Sequence, residues 1–194
     1  MRILVYSFKG GTGKSTIALN WALTLDWGVI TNDLYSPIDK VLEKKRVYKL
    51  QIGQPLPDLP EGVNVVYDFG GYVDDRVVKA MKDADAIIVP TTNAFAEIQV
   101  ALETIKETER HNKHIVVVAN KAGKGDFEYV QSAIRQFFKY PVLPLKATKA
   151  LTRIYSSKKS LRAAADSENP LDRHAYTAAA DQFDAIVAAI TKRK

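Results

Sequence analysis

The 194-residue sequence contains no cysteine, which excludes disulfides, thiolate metal sites and thiol chemistry. That absence fits a reducing compartment, and a cytoplasmic location is expected. No apolar run approaches the length needed to cross a bilayer, and the first residues read as a core strand rather than a signal peptide. Internal repeats and low-complexity stretches are missing too. Hydrophobic residues make up 46% of the chain and charged residues 26%, a composition suited to one folded domain over 1–194. Acids are outnumbered, 22 against 28 bases, for a net charge of +6. The shortage is sharpest between Lys139 and Arg162, which holds no acid at all. Lys146, Lys149, Arg153, Lys158, Lys159 and Arg162 lie there as candidate contacts for nonspecific DNA. A solvated basic face without a partner is the alternative.

What is present begins with Lys9-Gly10-Gly11-Thr12-Gly13-Lys14-Ser15-Thr16. An apolar run, Arg2 to Ser7, precedes it, and Ile17 to Leu25 follows with helical periodicity. Strand, glycine-rich turn and helix form the layout of a phosphate-binding loop. The glycines let successive backbone N–H groups face a phosphate, and the helix N-terminus adds partial positive charge. Lys14 supplies a cation for the β- and γ-phosphates, and the Ser15 hydroxyl can ligate Mg2+. A nucleoside triphosphate site is expected.

One glycine is lacking. The pattern G-x-x-x-x-G-K-[ST] wants it five residues before Gly13, where Phe8 stands. The loop fits K-G-G-x-G-K-[ST] instead, with Lys9 as a second lysine. Lys9 is too far along the loop from Lys14 to serve the same phosphate, but a facing subunit could deliver it as an outside cation.

Further on, apolar runs alternate with helical patterns, which predicts an α/β fold: a mostly parallel twisted sheet with helices on both faces. Gly28–Asn32 reads as a strand ending at Asp33, and Val63–Tyr67 as one ending at Asp68. Acids at such strand tips lie where ligands bind in parallel sheets. Asp33 as the N-cap of a helix near Pro37 is the alternative. Residues 39–49 are charged and mixed, and the prolines and glycines of 53–62 forbid regular structure. Further strands are expected at 84–92, 114–121 and 141–145, and helices at 94–111, 126–139 and 171–194. The last helix carries Ala178, Phe183, Ile186, Val187 and Ile190 along one side and ends in Lys192-Arg193-Lys194.

The residue 9–16 loop resembles the deviant Walker A box of the ParA/MinD family of dimerising ATPases, and Ala84-Asp85-Ala86-Ile87-Ile88-Val89-Pro90 is similar to a family strand. The resemblance implies a P-loop NTPase fold, ATP and Mg2+ as ligands, and a homodimer formed on ATP binding. It implies catalytic roles for Lys9, Lys14 and Asp33, with Asp33 positioning metal and water, and a Walker B role for Asp68. Asn120 would read the adenine edge, and Pro144 and Leu145 would close the adenine pocket. Gly123 stands where a GTPase would carry its guanine-reading acid, so ATP is favoured over GTP.

The sequence departs from the family pattern at Thr31, at Leu34-Tyr35 and at Phe69-Gly70-Gly71, which bears on hydrolytic efficiency. No helix-turn-helix region precedes the loop, so the small ParA class is indicated. That class implies slow, partner-stimulated hydrolysis, nonspecific DNA binding, nucleoid association and an adaptor or centromere-binding partner. The alternatives are a MinD-like membrane-cycling ATPase, an accessory ATPase for plasmid transfer, and a metabolic enzyme of the dethiobiotin synthetase type. An alanine-rich last helix with Asp172, Asp181 and Asp184 argues against membrane targeting.

Overall fold

The computed structural model describes residues 1–71 and 73–191. The Lys192-Arg193-Lys194 end expected on the last helix lies outside the described residues. Seven strands form one parallel sheet in the order β3-β2-β4-β1-β5-β6-β7. They are β1 (Arg2–Ser7), β2 (Gly28–Thr31), β3 (Val47–Lys49), β4 (Val65–Gly70), β5 (Ala86–Thr91), β6 (Ile115–Ala122) and β7 (Val142–Lys146). The helices are α1 (Lys14–Leu25), α2 (Asp75–Asp83), α3 (Phe95–Thr108), α4 (Asp126–Arg135), α5 (Lys149–Thr152), α6 (Ile154–Ser157), α7 (Leu161–Ala165) and α8 (Pro170–Thr191).

Strand side chains alternate between two cores, as the period of two requires. Ile3, Val5, Ile88 and Val116 pack with α1 and α8, including Trp21 and Phe183. Leu4, Tyr6, Ile87 and Val117 pack on the other face with Met81 of α2, Ile105 of α3 and Ile134 of α4. Helices thus cover both faces. β1 lies inside the sheet, between β4 and β5, and chain order turns back around it. That puts a ligand crevice at the carboxyl end of β1.

Three elements depart from the sequence reading. The charged, mixed stretch of 39–49, for which no element was expected, carries the end of one 3-10 turn (Pro37–Lys40), a second (Lys44–Arg46) and the short edge strand β3. α2 was not anticipated; the Asp74 side chain caps it by accepting from the N–H groups of Arg76 and Val77. In α8, Ala179 and Ala180 are buried rather than Ala178, with Phe183, Ile186 and Ile190. The apolar side of this helix is consumed by the core.

Candidate nucleotide site

Residues 8–13 turn the chain from β1 into α1. Gly11 and Gly13 have φ of +82° and +96°, where any side chain is strained. Gly13 is constrained further, because a Cβ there would lie 2.1 Å from Asn120 Nδ2. Lys14 Nζ donates to the Lys9 carbonyl at 2.7 Å, which lays the lysine stem along the loop. Burial lowers the Lys14 pKa, and the Asp68 carboxylate opposes that shift. Lys9 is exposed, and its ammonium makes no hydrogen bond or ion pair among the described residues.

A cavity of about 530 Å³ opens over the loop. Gly10, Gly11, Lys14 and Ser15 border it from the loop; Asp33, Asp68 and Gly70 border it from the strand tips. Asp68 is 3% exposed. Burial pushes its carboxyl up to about 6; the Ser15 hydroxyl and Lys14 pull it down, and Asp33 adds to the rise. Its Oδ2 is buried without a hydrogen-bond partner in the protein. A buried acceptor left unpaired calls for a ligand. With the Ser15 hydroxyl and the Asp33 carboxylate on the same cavity, this donor set fits a hydrated divalent cation.

Asp33 does not cap the Pro37 turn, whose preceding residue is Ser36. Its Oδ1 accepts the Tyr35 N–H at 2.9 Å in a tight turn of its own, and the residue is exposed to the cavity. Thr31 stands where the family pattern has a first acid. It is fully buried in register with Asp68, and its hydroxyl accepts the Asp33 N–H at 3.1 Å. A carboxylate there would put a second buried charge beside Asp68.

Asn32 was missed in the sequence. Its Nδ2 donates to the Gly70 carbonyl at 3.0 Å and its Oδ1 accepts the Gly70 N–H at 3.3 Å. This pair of bonds ties the tip of β2 to the tip of β4. Gly70 in turn lies under Lys14: a Cβ there would come within 2.6 Å of Lys14 Cε. No local signal marks Asn32, because its partner is 38 residues away.

A second cavity, about 390 Å³, lies beyond Gly13 and is bordered by Thr16, Asn120, Lys121, Lys146, Leu151 and Tyr155, among others. Asn120 Nδ2 donates to the Thr12 carbonyl at 2.7 Å, and its Oδ1 accepts the Lys121 N–H at 2.9 Å. One amide N–H and one lone pair remain for a ligand edge. Lys121, at φ +56°, sends Nζ to the Gly11 carbonyl at 3.2 Å, so two consecutive residues brace the loop. Pro144 and Leu145 do not border this cavity. They belong to β7, where Leu145 is wholly buried in the core, and the lining starts at Lys146 as the strand ends. At Gly123, the nearby Asp126 is already occupied: Oδ2 accepts the Gly123 N–H at 2.7 Å and Oδ1 accepts from Asn93 at 2.8 Å.

Tyr155 was also missed. Its ring borders the second cavity, and burial, with Asp68 and Asp33 adding, pushes its phenol up to about 12. In the basic segment, Lys149, Arg153, Lys158 and Lys159 are exposed. Arg162 leaves this set, since its guanidinium pairs with Asp181 at 2.7 Å and with Asp184 of α8. Lys146 belongs to the second cavity instead.

No protein-family model matches the sequence, and no curated protein matches it. Solved structures do match over nearly the whole chain. The Mg-ADP complex of the septum site-determining protein MinD from Pyrococcus horikoshii is 15% identical, with a TM-score of 0.69 over 98% of each chain. A ParA family ATPase from Chlorobium tepidum is 17% identical, with a TM-score of 0.60 over 92% of this chain and 98% of its own. An ATP complex of a McdA variant from Cyanothece is 11% identical, with a TM-score of 0.62 over 97% and 96%. Likeness at these identities fixes the architecture: the chain has the parallel α/β fold of the MinD and ParA structures.

Proposed function

We propose that residues 1–194 form one ATPase domain of the ParA/MinD family, a nucleotide switch in positioning or partition of a cargo. The observation that carries the reading is the gathering of Lys14, Ser15, Asp33 and Asp68 on one cavity above a glycine loop, with the Asp68 Oδ2 acceptor unpaired. The triphosphate lies along the N–H groups of residues 10–16, with Lys14 on its β- and γ-phosphates. Ser15 and Asp68 would hold Mg2+, which would supply charge neutralisation on the phosphate oxygens. Asp33, exposed at the cavity edge, orients the attacking water. Asn120 presents its spare donor and acceptor to an adenine edge.

The Lys9 ammonium has no partner in its own subunit among the described residues. This exposed cation supports a face-to-face ATP dimer in which each Lys9 reaches the other copy's phosphates. Dimerisation doubles the basic surface of Lys149, Arg153, Lys158 and Lys159, so DNA affinity rises with ATP and falls when hydrolysis separates the copies. Turnover is slow until an adaptor protein stimulates it, and the switch works in the cytoplasm on the nucleoid. The membrane-cycling alternative finds less support, because α8 packs Ala179, Ala180, Phe183, Ile186 and Ile190 inward.

The test is light scattering with Mg2+ and a non-hydrolysable ATP analogue. The wild type should double in mass. Lys9→Ala should stay monomeric while its nucleotide affinity changes by less than about threefold, an effect of under 1 kcal/mol. A wild type that remains monomeric with bound nucleotide would contradict the dimer switch.

A further inference from the structure

Gly70 and Gly71 follow Asp68 at the tip of β4, and both border the phosphate cavity. Two consecutive glycines have no side chains to pack and more backbone freedom than any other pair. Strand pairing stops too early to fix them both. On the β2 side the last paired residues are Thr31 and Asp68; on the β1 side they are Ser7 and Gly70.

A side chain adds one more rung on each flank. The Asn32 carboxamide, one residue past β2, gives and takes as a peptide group would: it donates to the Gly70 carbonyl and accepts the Gly70 N–H. From β1, the Tyr6 hydroxyl donates to the Gly71 carbonyl at 3.0 Å. Tyr6 is fully buried, and its ring meets that of Phe8 edge-on with centroids 5.6 Å apart, which gives the hydroxyl a fixed base. Because β4 lies between β2 and β1, the tip is gripped from both sides. What the grip controls lies inside the cavity. Gly70 packs under the Lys14 stem, Asp68 is two residues back on the same strand, and Asp33 follows Asn32 directly. Movement of the tip therefore changes the spacing of one ammonium and two carboxylates together.

We propose that Asn32 and Tyr6 are positioning residues for hydrolysis: they clasp the Gly70-Gly71 tip so that Lys14, Asp33 and Asp68 keep one geometry through the reaction. The proposal rests on the ATPase reading above. Neither residue has to touch the phosphates. The loop N–H groups and Lys14 hold the nucleotide without them, so losing the clasp is felt in turnover and little in affinity.

The test compares the full-length wild type with Asn32→Ala, Tyr6→Phe and Asn112→Ala. Asn112 is the control: its carboxamide also bridges backbone groups, donating to the carbonyls of Met81 and Ala84 and accepting the His114 N–H, but it borders neither cavity. Exchange of the Gly70 amide is followed by NMR in the nucleotide-free protein, and kcat and KM by phosphate release from Mg-ATP. Asn32→Ala should speed Gly70 exchange about tenfold and lower kcat about tenfold, with KM within about twofold of wild type. Tyr6→Phe keeps the buried ring and should lower kcat about threefold. Asn112→Ala should lower the denaturation midpoint yet leave kcat and Gly70 exchange within about twofold. Equal kcat losses in Asn32→Ala and Asn112→Ala, a loss confined to KM, or unchanged Gly70 exchange in Asn32→Ala would overturn the role. Faster exchange with unchanged kcat would overturn it too, leaving a clasp that serves stability alone. Should Asn32→Ala not fold by circular dichroism, Tyr6→Phe decides, and an unchanged kcat there sinks the proposal. Wild-type protein that binds ATP but releases no phosphate would fail the ATPase reading itself, and the positioning role with it.

Discussion

The two cavities beside the residue 9–16 loop are built on different principles. The first is largely backbone geometry: a contiguous glycine-rich loop and the start of one helix, with two acids at strand tips. The second is assembled by side chains from β6, the end of β7 and the short helices after it. The first has little freedom at Gly11 and Gly13, whose φ is positive, and the second offers many graded changes. If the two hold opposite ends of one nucleotide, lesions in the first should be near-absolute and lesions in the second partial.

The largest effect is expected at Lys14. Lys14→Ala removes the half-buried cation that borders the loop cavity and should lower turnover by about 10²–10³-fold, read by phosphate release. A tenfold loss or less would place the phosphates elsewhere. Next come the glycines, which separate backbone strain from side-chain displacement. Gly13→Ala meets both a φ of +96° and an Asn120 nitrogen at 2.1 Å, and should cost about 2–4 kcal/mol in denaturant unfolding. Gly70→Ala meets only the flexible end of Lys14. It should cost less than about 1 kcal/mol of stability yet still reduce turnover, because the ammonium is what moves.

Asp68 gives a pH signature. An acid whose folded pKa is raised binds more protons folded than unfolded, so stability falls as pH rises from 3.8 towards about 6. Asp68→Asn should therefore raise the neutral-pH melting temperature of the metal-free protein while removing Mg2+-dependent nucleotide binding. In the wild type that binding should weaken as pH drops through about 6. A melting temperature lowered by Asp68→Asn would show that the carboxylate is satisfied rather than strained. The smallest effect belongs to the base side. Tyr155→Ala should weaken nucleotide binding by roughly tenfold, about 1.4 kcal/mol, and Tyr155→Phe by less, measured with a fluorescent ATP analogue.

The same contrast explains what could be read from the sequence. The course of the loop, and the placing of Asp33 and Asp68 beside it, were legible because strand, turn and helix follow one another directly and carry their own signals. Both cores follow from branched apolar runs such as Ile115 to Val118. Thr31 and Asn32 were opaque because their value lies in register: one sits opposite Asp68, the other reaches Gly70 on the neighbouring strand. Arg162 looked like part of a basic patch because its neutralising partners, Asp181 and Asp184, arrive on α8. Pro144 and Leu145 missed the pocket because β7 runs on to Lys146 before the chain leaves the sheet. The helices α5 to α7, four or five residues each, are too short to show a period, so Tyr155 was hidden among lysines and serines.

The account stands most directly on duplex binding measured in three states: without nucleotide, with ADP, and with a non-hydrolysable ATP analogue, each at low and moderate salt. A nucleotide switch predicts binding with the analogue alone, falling steeply with salt. Equal binding in all three states, or none in any, would contradict it.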